Sequence, residues 1–178
     1  MTAFQAGDID GAWVPEPWAT RLVQEGGGKV LVDERDLWPN GEYVTTQLVV
    51  TPTFLNDHPD VVKALLTGVI SANDYVNEQP AEAQALVNEG IKDVTQKGLP
   101  DAVLAAAWPN LTFTVDPIAS SLATSAAEAT ELGLLEKTDL TGIYDLTLLN
   151  EVLEAAGEDA ASDAGPEAID RRSVKRTK

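Results

Sequence analysis

The sequence predicts an α/β fold, and three observations carry that reading. Two short apolar runs, Ile9 to Val14 and Lys29 to Val32, flank a helical stretch, giving the strand–helix–strand unit of a parallel sheet. Tyr43-Val44-Thr45-Thr46-Gln47-Leu48-Val49-Val50-Thr51 is dense in β-branched residues and reads as the best strand of the chain. From Asn56 to about Ala156, apolar residues recur at helical spacing between Pro and Gly punctuation.

Each element has a local reason. The first strand is entered through a turn at Gly7-Asp8 and stopped by Pro15 and Pro17, neither of which has an N–H to give to a ladder. Pro17 then suits the first residue of a helix, where the missing N–H costs nothing. Trp18, Leu22 and Val23 share one face of that helix, and Gly26-Gly27-Gly28 ends it before the second strand. Residues 33–42 are polar and turn at Pro39-Asn40-Gly41. The strand Tyr43–Thr51 changes character along its length: Thr45, Thr46 and Gln47 are polar, whereas Leu48, Val49 and Val50 are apolar. Such a strand could pass from a wet cleft into a core.

Helices dominate the rest. Asn56-Asp57-His58-Pro59 is a helix start, and Val62, Leu65, Leu66, Val69, Ile70 and Val76 carry that helix to about Asn77. Pro80 opens a second helix through Leu86 and Val87, closed by Gly90. Pro100 to Ala107 is a short Ala-rich helix broken by Trp108-Pro109-Asn110, and Leu111 to Val115 is a short extended piece. Pro117 to Leu132 forms another helix, ended by Gly133. Tyr144 to Ala156 is the last, with Asp145 as its cap and Leu146, Leu149, Val152 and Leu153 as its buried stripe. No internal repeat is visible. Two or three parallel strands without further partners make a poor sheet, so the sequence reads as the latter half of something larger.

Composition narrows the function. At 178 residues the chain can form one ordinary domain. It has no Cys, which excludes disulfides, thiolate metal sites and a Cys nucleophile. No apolar run reaches the ~18 residues of a membrane span, and the opening Met-Thr-Ala-Phe-Gln-Ala-Gly-Asp does not read as a signal peptide. The net charge is −17, and all of it lies in residues 1–156, with 24 acids against 7 bases. Such a body repels nucleic acid and anionic lipid. The basic end, Arg171-Arg172-Ser173-Val174-Lys175-Arg176-Thr177-Lys178, follows an Ala/Asp/Glu/Gly stretch without apolar period, and residues 157–178 are expected to be a disordered, solvated tail rather than a nucleic-acid patch.

The stretch Gly7-Asp8-Ile9-Asp10-Gly11-Ala12-Trp13-Val14-Pro15-Glu16-Pro17-Trp18 is the densest in recognition chemistry. Two indoles and a carboxylate beside rigid prolines suit a small-molecule pocket better than an ordinary core strand. Asp8 and Asp10 have the look of a metal pair but read better as turn residues. The single His58, just before Pro59, suits a cap or surface role. With no Cys and that one His, the usual nucleophile and acid–base constellations are missing. Gly26-Gly27-Gly28 follows a helix and lacks a succeeding Gly-Lys-Ser/Thr, so it is not a phosphate loop.

These residues resemble a family. The Gly7–Trp18 stretch is similar to the Gly-x-Ile-Asp-Ala strand and Glu-Pro of bacterial solute-binding proteins of the nitrate/sulfonate/taurine class, which serve ABC importers. Phe54-Leu55-Asn56-Asp57-His58-Pro59-Asp60-Val61-Val62-Lys63-Ala64-Leu65 is similar to a helix entry of that family. So are Gly133-Leu134-Leu135 and Ile143-Tyr144-Asp145-Leu146-Thr147-Leu148-Leu149-Asn150 to its closing helix. The resemblance spans residues 4–156 and is nearest to the aliphatic sulfonate and taurine binders.

The resemblance implies a type II periplasmic-binding-protein-like two-lobe fold, present as a truncated C-terminal portion. Residues 1–42 would be a remnant of the second lobe, residues 43–51 a crossing, hinge-forming strand, and residues 52–156 the helical C-terminal part of the first lobe. Family members hold an anionic head group with helix N-termini and a few side chains. The residues that would serve here are Trp13, Glu16 and Trp18, with Thr45, Thr46 and Gln47. Each also has a plainer reading: Trp18 as a core residue of its helix, Trp13 as core, Glu16 as a salt bridge or helix-terminal charge, and the threonines as ordinary strand residues. Glu16 would repel a sulfonate and pair with a ligand ammonium such as that of taurine.

The implied partners are a small organic anion and a membrane permease, with no cofactor, no metal, no nucleic acid and no enzymatic step. The implied location is extracytoplasmic, in a periplasm or as a cell-surface lipoprotein. Alternatives are a same-fold binder of nitrate or a thiamine-pyrimidine precursor, the effector-binding domain of a regulator, an enzyme that borrowed the fold, or an open reading frame without a functional product. Exposed apolar surface is expected to favour self-association of this chain.

Overall fold

A computed structural model describes residues 1–161. The helices that begin at Trp18, Pro52, Pro59, Pro80 and Asp101 start at a proline or directly after one. Those described are α1 (Thr2–Ala6), α2 (Trp18–Gln24), α3 (Pro52–Asp57), α4 (Pro59–Glu78), α5 (Pro80–Thr95), α6 (Asp101–Ala107), α7 (Ala119–Glu131) and α8 (Thr147–Ala156). They fall into two units, one of residues 1–33 with 73–113, the other of residues 34–72 with 114–161, and the division crosses α4 after Ala72.

In the first unit, α2 and α5 both pack on α6. The Ala-rich sequence of α6 permits this, because small side chains let neighbouring backbones approach. Val103 and Ala107 of α6 and Ala83 of α5 are buried, together with Leu104 and Thr20. The α2 terminus needs its glycines for space. A Cβ on Gly26 would lie 2.7 Å from the Leu22 carbonyl oxygen, and the Gly28 N–H donates to that same oxygen at 2.9 Å. Asn88 fixes the α5–α6 connection: its Oδ1 accepts from Leu99 N at 2.7 Å and its Nδ2 donates to Leu99 O at 2.9 Å.

The second unit is organised by α8. Leu146, Leu149, Val152 and Leu153 recur at helical spacing and meet Ile70 of α4 in a core cluster, with Leu66, Val115, Tyr144 and Ala161 packed around it. The stripe expected from sequence is thus the buried one. Asp145, expected as the cap of this helix, lies one residue before the N-cap position, which Leu146 takes without a side-chain bond; its Oδ1 accepts from Thr147 N at 3.1 Å. Lys63 of α4 and Glu151 of α8 make an exposed ion pair at 3.2 Å.

Three differences from the sequence reading are informative. First, Ile9–Val14, Lys29–Val32 and Tyr43–Thr51 were expected as strands, but no β-strand forms among the described residues, where these segments lie in non-helical chain. A strand is stable only in a ladder, and β-branched composition cannot supply the partner. The described residues therefore carry helices and no β-strand. Second, α5 runs through Gly90 to Thr95 and ends at Gln96 with φ 63°. Gly90 keeps an ordinary negative φ, so it costs helix propensity without forcing a stop. Third, α1 and α3 were not expected. The signal for α3 was present in Thr51-Pro52: the Thr51 hydroxyl accepts from Phe54 N at 3.2 Å and Pro52 opens the first turn. Of the expected tail, residues 162–178 lie outside the described residues.

Two local tests follow. Thr51→Ala should destabilise α3 by about 1 kcal/mol, the usual worth of such a cap, read as faster amide exchange at Phe54. The Asp139 carboxyl is held below its ordinary pKa of 3.8 by the Thr141 hydroxyl and then by the Thr141 N–H, 2.9 Å from Oδ1. A depressed carboxyl pKa favours the folded state above the unfolded value, and that contribution fades as pH falls through the folded one. Thr141→Val should move the Asp139 titration upward in a carboxyl-carbon NMR experiment; an unchanged midpoint would remove the hydroxyl as the cause.

Candidate functional site

The carboxylate of Glu16 is the best-organised candidate group. Its Oε1 accepts from the Thr20 hydroxyl at 2.9 Å and from Asn110 Nδ2 at 2.7 Å, and its Oε2 accepts from the Thr20 backbone N–H at 3.1 Å. The reason is local. Pro17 occupies the N-cap position of α2 and has no side-chain acceptor, so an orphan N–H of the first turn turns to the residue before it. Asn110 lies in the short 3₁₀ turn Trp108–Asn110 that follows α6, so one carboxylate ties the start of α2 to the end of α6. The Glu16–Pro17 peptide bond is cis.

Trp18 and Trp13 differ from one another. Trp18 is about half exposed, and the Arg21 guanidinium lies 4.8 Å from its ring centroid, held in turn by Glu25 at 2.9 Å. A cation of the chain itself thus takes one face of this indole. Trp13 is 78% exposed, which sets aside its reading as a core residue. Asp8 and Asp10 gather no further ligands: among the described residues no group of three or more His, Asp or Glu could hold a metal.

The polar half of segment 43–51 belongs to the second unit. Gln47 Nε2 donates to the Pro117 carbonyl at 3.0 Å and to the Tyr144 hydroxyl at 2.9 Å. Val44 N donates to Ser121 Oγ at 3.4 Å, and Ser121 Oγ donates to Ile118 O at 2.9 Å. Beside these bonds is an open pocket of about 120 Å³ lined by Tyr43, Val44, Gln47, Ser121, Leu122 and Ser125. Gln47 lines it; Thr45 and Thr46 are exposed and do not.

The six sequence candidates thus fall into different units, Trp13, Glu16 and Trp18 in one and Thr45, Thr46 and Gln47 in the other. The structure adds Asn110, Tyr43, Ser121, Ser125 and Tyr144. The serines were findable, because Ser121 and Ser125 are four apart and so share a helical face. The pocket offers neutral hydroxyl and amide groups, which can hydrogen-bond a small polar solute. Its lining contains no Asp, Glu, His, Lys or Arg.

Comparison with known proteins gives two findings. Residues 1–89, half of the chain, match the NMT1-like family. A 72-residue stretch is 40% identical to the taurine-binding periplasmic protein of Escherichia coli (strain K12), covering 40% of this chain and 22% of that protein. The match thus spans under a quarter of the relative's length. No solved structure matches.

Proposed function

Because this chain belongs to the NMT1-like family, we propose that it acts as the substrate-binding component of an ABC importer for a small organic anion such as an aliphatic sulfonate or taurine. The family implies a periplasmic-binding-protein-like fold, and family and relative together indicate a solute-binding protein of the nitrate/sulfonate/taurine class. The observation that carries the finer reading is the 40% identity to a taurine-binding protein. Its partners would be the solute and a membrane permease, its place extracytoplasmic, and its role transport rather than catalysis. This chain would contribute part of a two-lobe clamp, with segment 43–51 as one hinge strand. A solute closes such a clamp only through contacts that are stronger in the closed state.

Among the candidate residues, Trp13 is free to cover an alkyl chain or an ammonium group. Glu16 has used three of a carboxylate's roughly four acceptor directions, leaving one for a ligand ammonium. Ser125 would present a hydroxyl donor to an oxyanion, as Thr45 and Thr46 would from exposed positions, whereas the donors of Gln47 and Ser121 are already committed to Pro117 O, Tyr144 Oη and Ile118 O.

Tryptophan fluorescence tests the assignment of Trp13. In the whole protein that carries this chain, taurine should change the emission, and Trp13→Phe should abolish most of that change. A full change in Trp13→Phe would remove Trp13 from the site.

A further inference from the structure

We infer that Glu16 and Asn110 together form a clasp for a primary ammonium group, which makes the solute an amine-bearing anion rather than a plain one. The choice of solute rests on the function proposed above; the clasp is tested apart from it.

The Glu16 carboxylate is half-buried, and its charge is met by dipoles alone. No cationic side chain among the described residues pairs with it, and Arg21 of the same helix is committed to Glu25 at 2.9 Å. Partial burial of a carboxylate is costly, so a cation gains by approaching it. Two of its three hydrogen bonds come from Thr20, which is buried; the third comes from Asn110, which is exposed.

Asn110 brings an acceptor with it. Its Nδ2 must face the carboxylate, because Oδ1 in that place would meet a negative charge. Its Oδ1 accepts no hydrogen bond among the described residues. Amide geometry and the 2.7 Å bond keep Oδ1 within about 5 Å of Glu16 Oε1. One nitrogen can hydrogen-bond both side chains across that separation, at about 2.9 Å from each.

The acceptors select the cation. A guanidinium fork needs both carboxylate oxygens, and Oε1 already holds two donors. A calcium ion takes about six to eight oxygens, whereas no group of three or more His, Cys, Asp or Glu among the described residues could hold a metal. An ammonium is a compact charge with several donors, and it fits one carboxylate direction plus one amide oxygen. The Trp18 ring, the competing seat for a cation, already carries Arg21 over one face at 4.8 Å.

The test is ¹H–¹⁵N NMR of the 178-residue chain, read at the Asn110 side-chain amide and the Thr20 N–H during titration with four probes. Ethylammonium carries the donor group, tetramethylammonium the charge without donors, ethanesulfonate the anion alone, and taurine both ends. Ethylammonium and taurine should shift both signals saturably; tetramethylammonium and ethanesulfonate should not. Asn110→Ala should weaken ethylammonium binding, read at Thr20, by at least about tenfold, the worth of one hydrogen bond to a charged group. Glu16→Gln, which keeps an acceptor for α2, should lose the shift at Asn110. Signals unmoved by ethylammonium, equal shifts with tetramethylammonium, or an unchanged affinity in either variant would each overturn the clasp. The sulfonate solute fails separately: taurine binding no tighter than ethylammonium would count against it and leave the clasp standing. Taurine saturating while ethylammonium moves neither signal would remove the clasp and leave the solute.

Discussion

Leu153→Ala is expected to destabilise the unit built on α8 by about 2–5 kcal/mol, the range for deleting a fully buried leucine side chain. Leu153 is 1% exposed and packs in the cluster that joins α8 to α4 through Ile70. The loss has two sources: transfer of the side chain from water no longer contributes, and the ring of Leu146, Leu149, Val152 and Ile70 is left around a cavity. The cluster is small, so little neighbouring apolar surface can move in. Urea unfolding should be followed by Trp38 emission in a background with Trp13, Trp18 and Trp108 replaced by Phe, because Trp38 lies in this unit and the other three lie in the other. A midpoint unchanged in the Trp38 signal would mean that this cluster does not hold the unit together.

Glu16→Ala carries the second-largest expected effect, about 1–3 kcal/mol on the unit that contains α2, the range for leaving hydrogen-bond partners unsatisfied. The substitution removes the acceptor of Thr20 N, the Thr20 hydroxyl and Asn110 Nδ2 in one step. It leaves Pro17 at the N-cap with nothing to offer the first turn. Glu16→Gln keeps one carbonyl acceptor and should cost less than the alanine variant. Asn110→Ala should reproduce only the part that ties α2 to the turn after α6. If Glu16 were a ligand group alone, Glu16→Ala would leave urea stability unchanged, so the ordering Ala > Gln in lost stability separates the two roles.

The helices were largely legible because their start and stop signals are local. Pro59, Pro80 and Pro100 stand at or just before helix starts, Gly133 and Gly157 follow α7 and α8 with positive φ, and the α8 stripe has the period of a buried face. Segments 9–14, 29–32 and 43–51 were read as strands from composition alone, and composition does not specify a ladder partner. The same distinction runs through the candidate site. Glu16, Trp13 and Gln47 stood out as residue types, but their roles depend on distant partners. Asn110 is 94 residues from Glu16, and Tyr144 is 97 residues from Gln47. Nothing near either residue in sequence announces those bonds. The cation over Trp18 was closer to legible, since Arg21 follows one turn later on the same helix.

The proposal that this chain acts in sulfonate-class solute binding is tested most directly by calorimetry, with the protein titrated in turn with taurine, alkanesulfonates and nitrate. Residues 1–178 alone should bind weaker than micromolar, since the pocket described here is open and only about 120 Å³. The account predicts a saturable heat with taurine or an alkanesulfonate. No heat with any of the three solutes would contradict it.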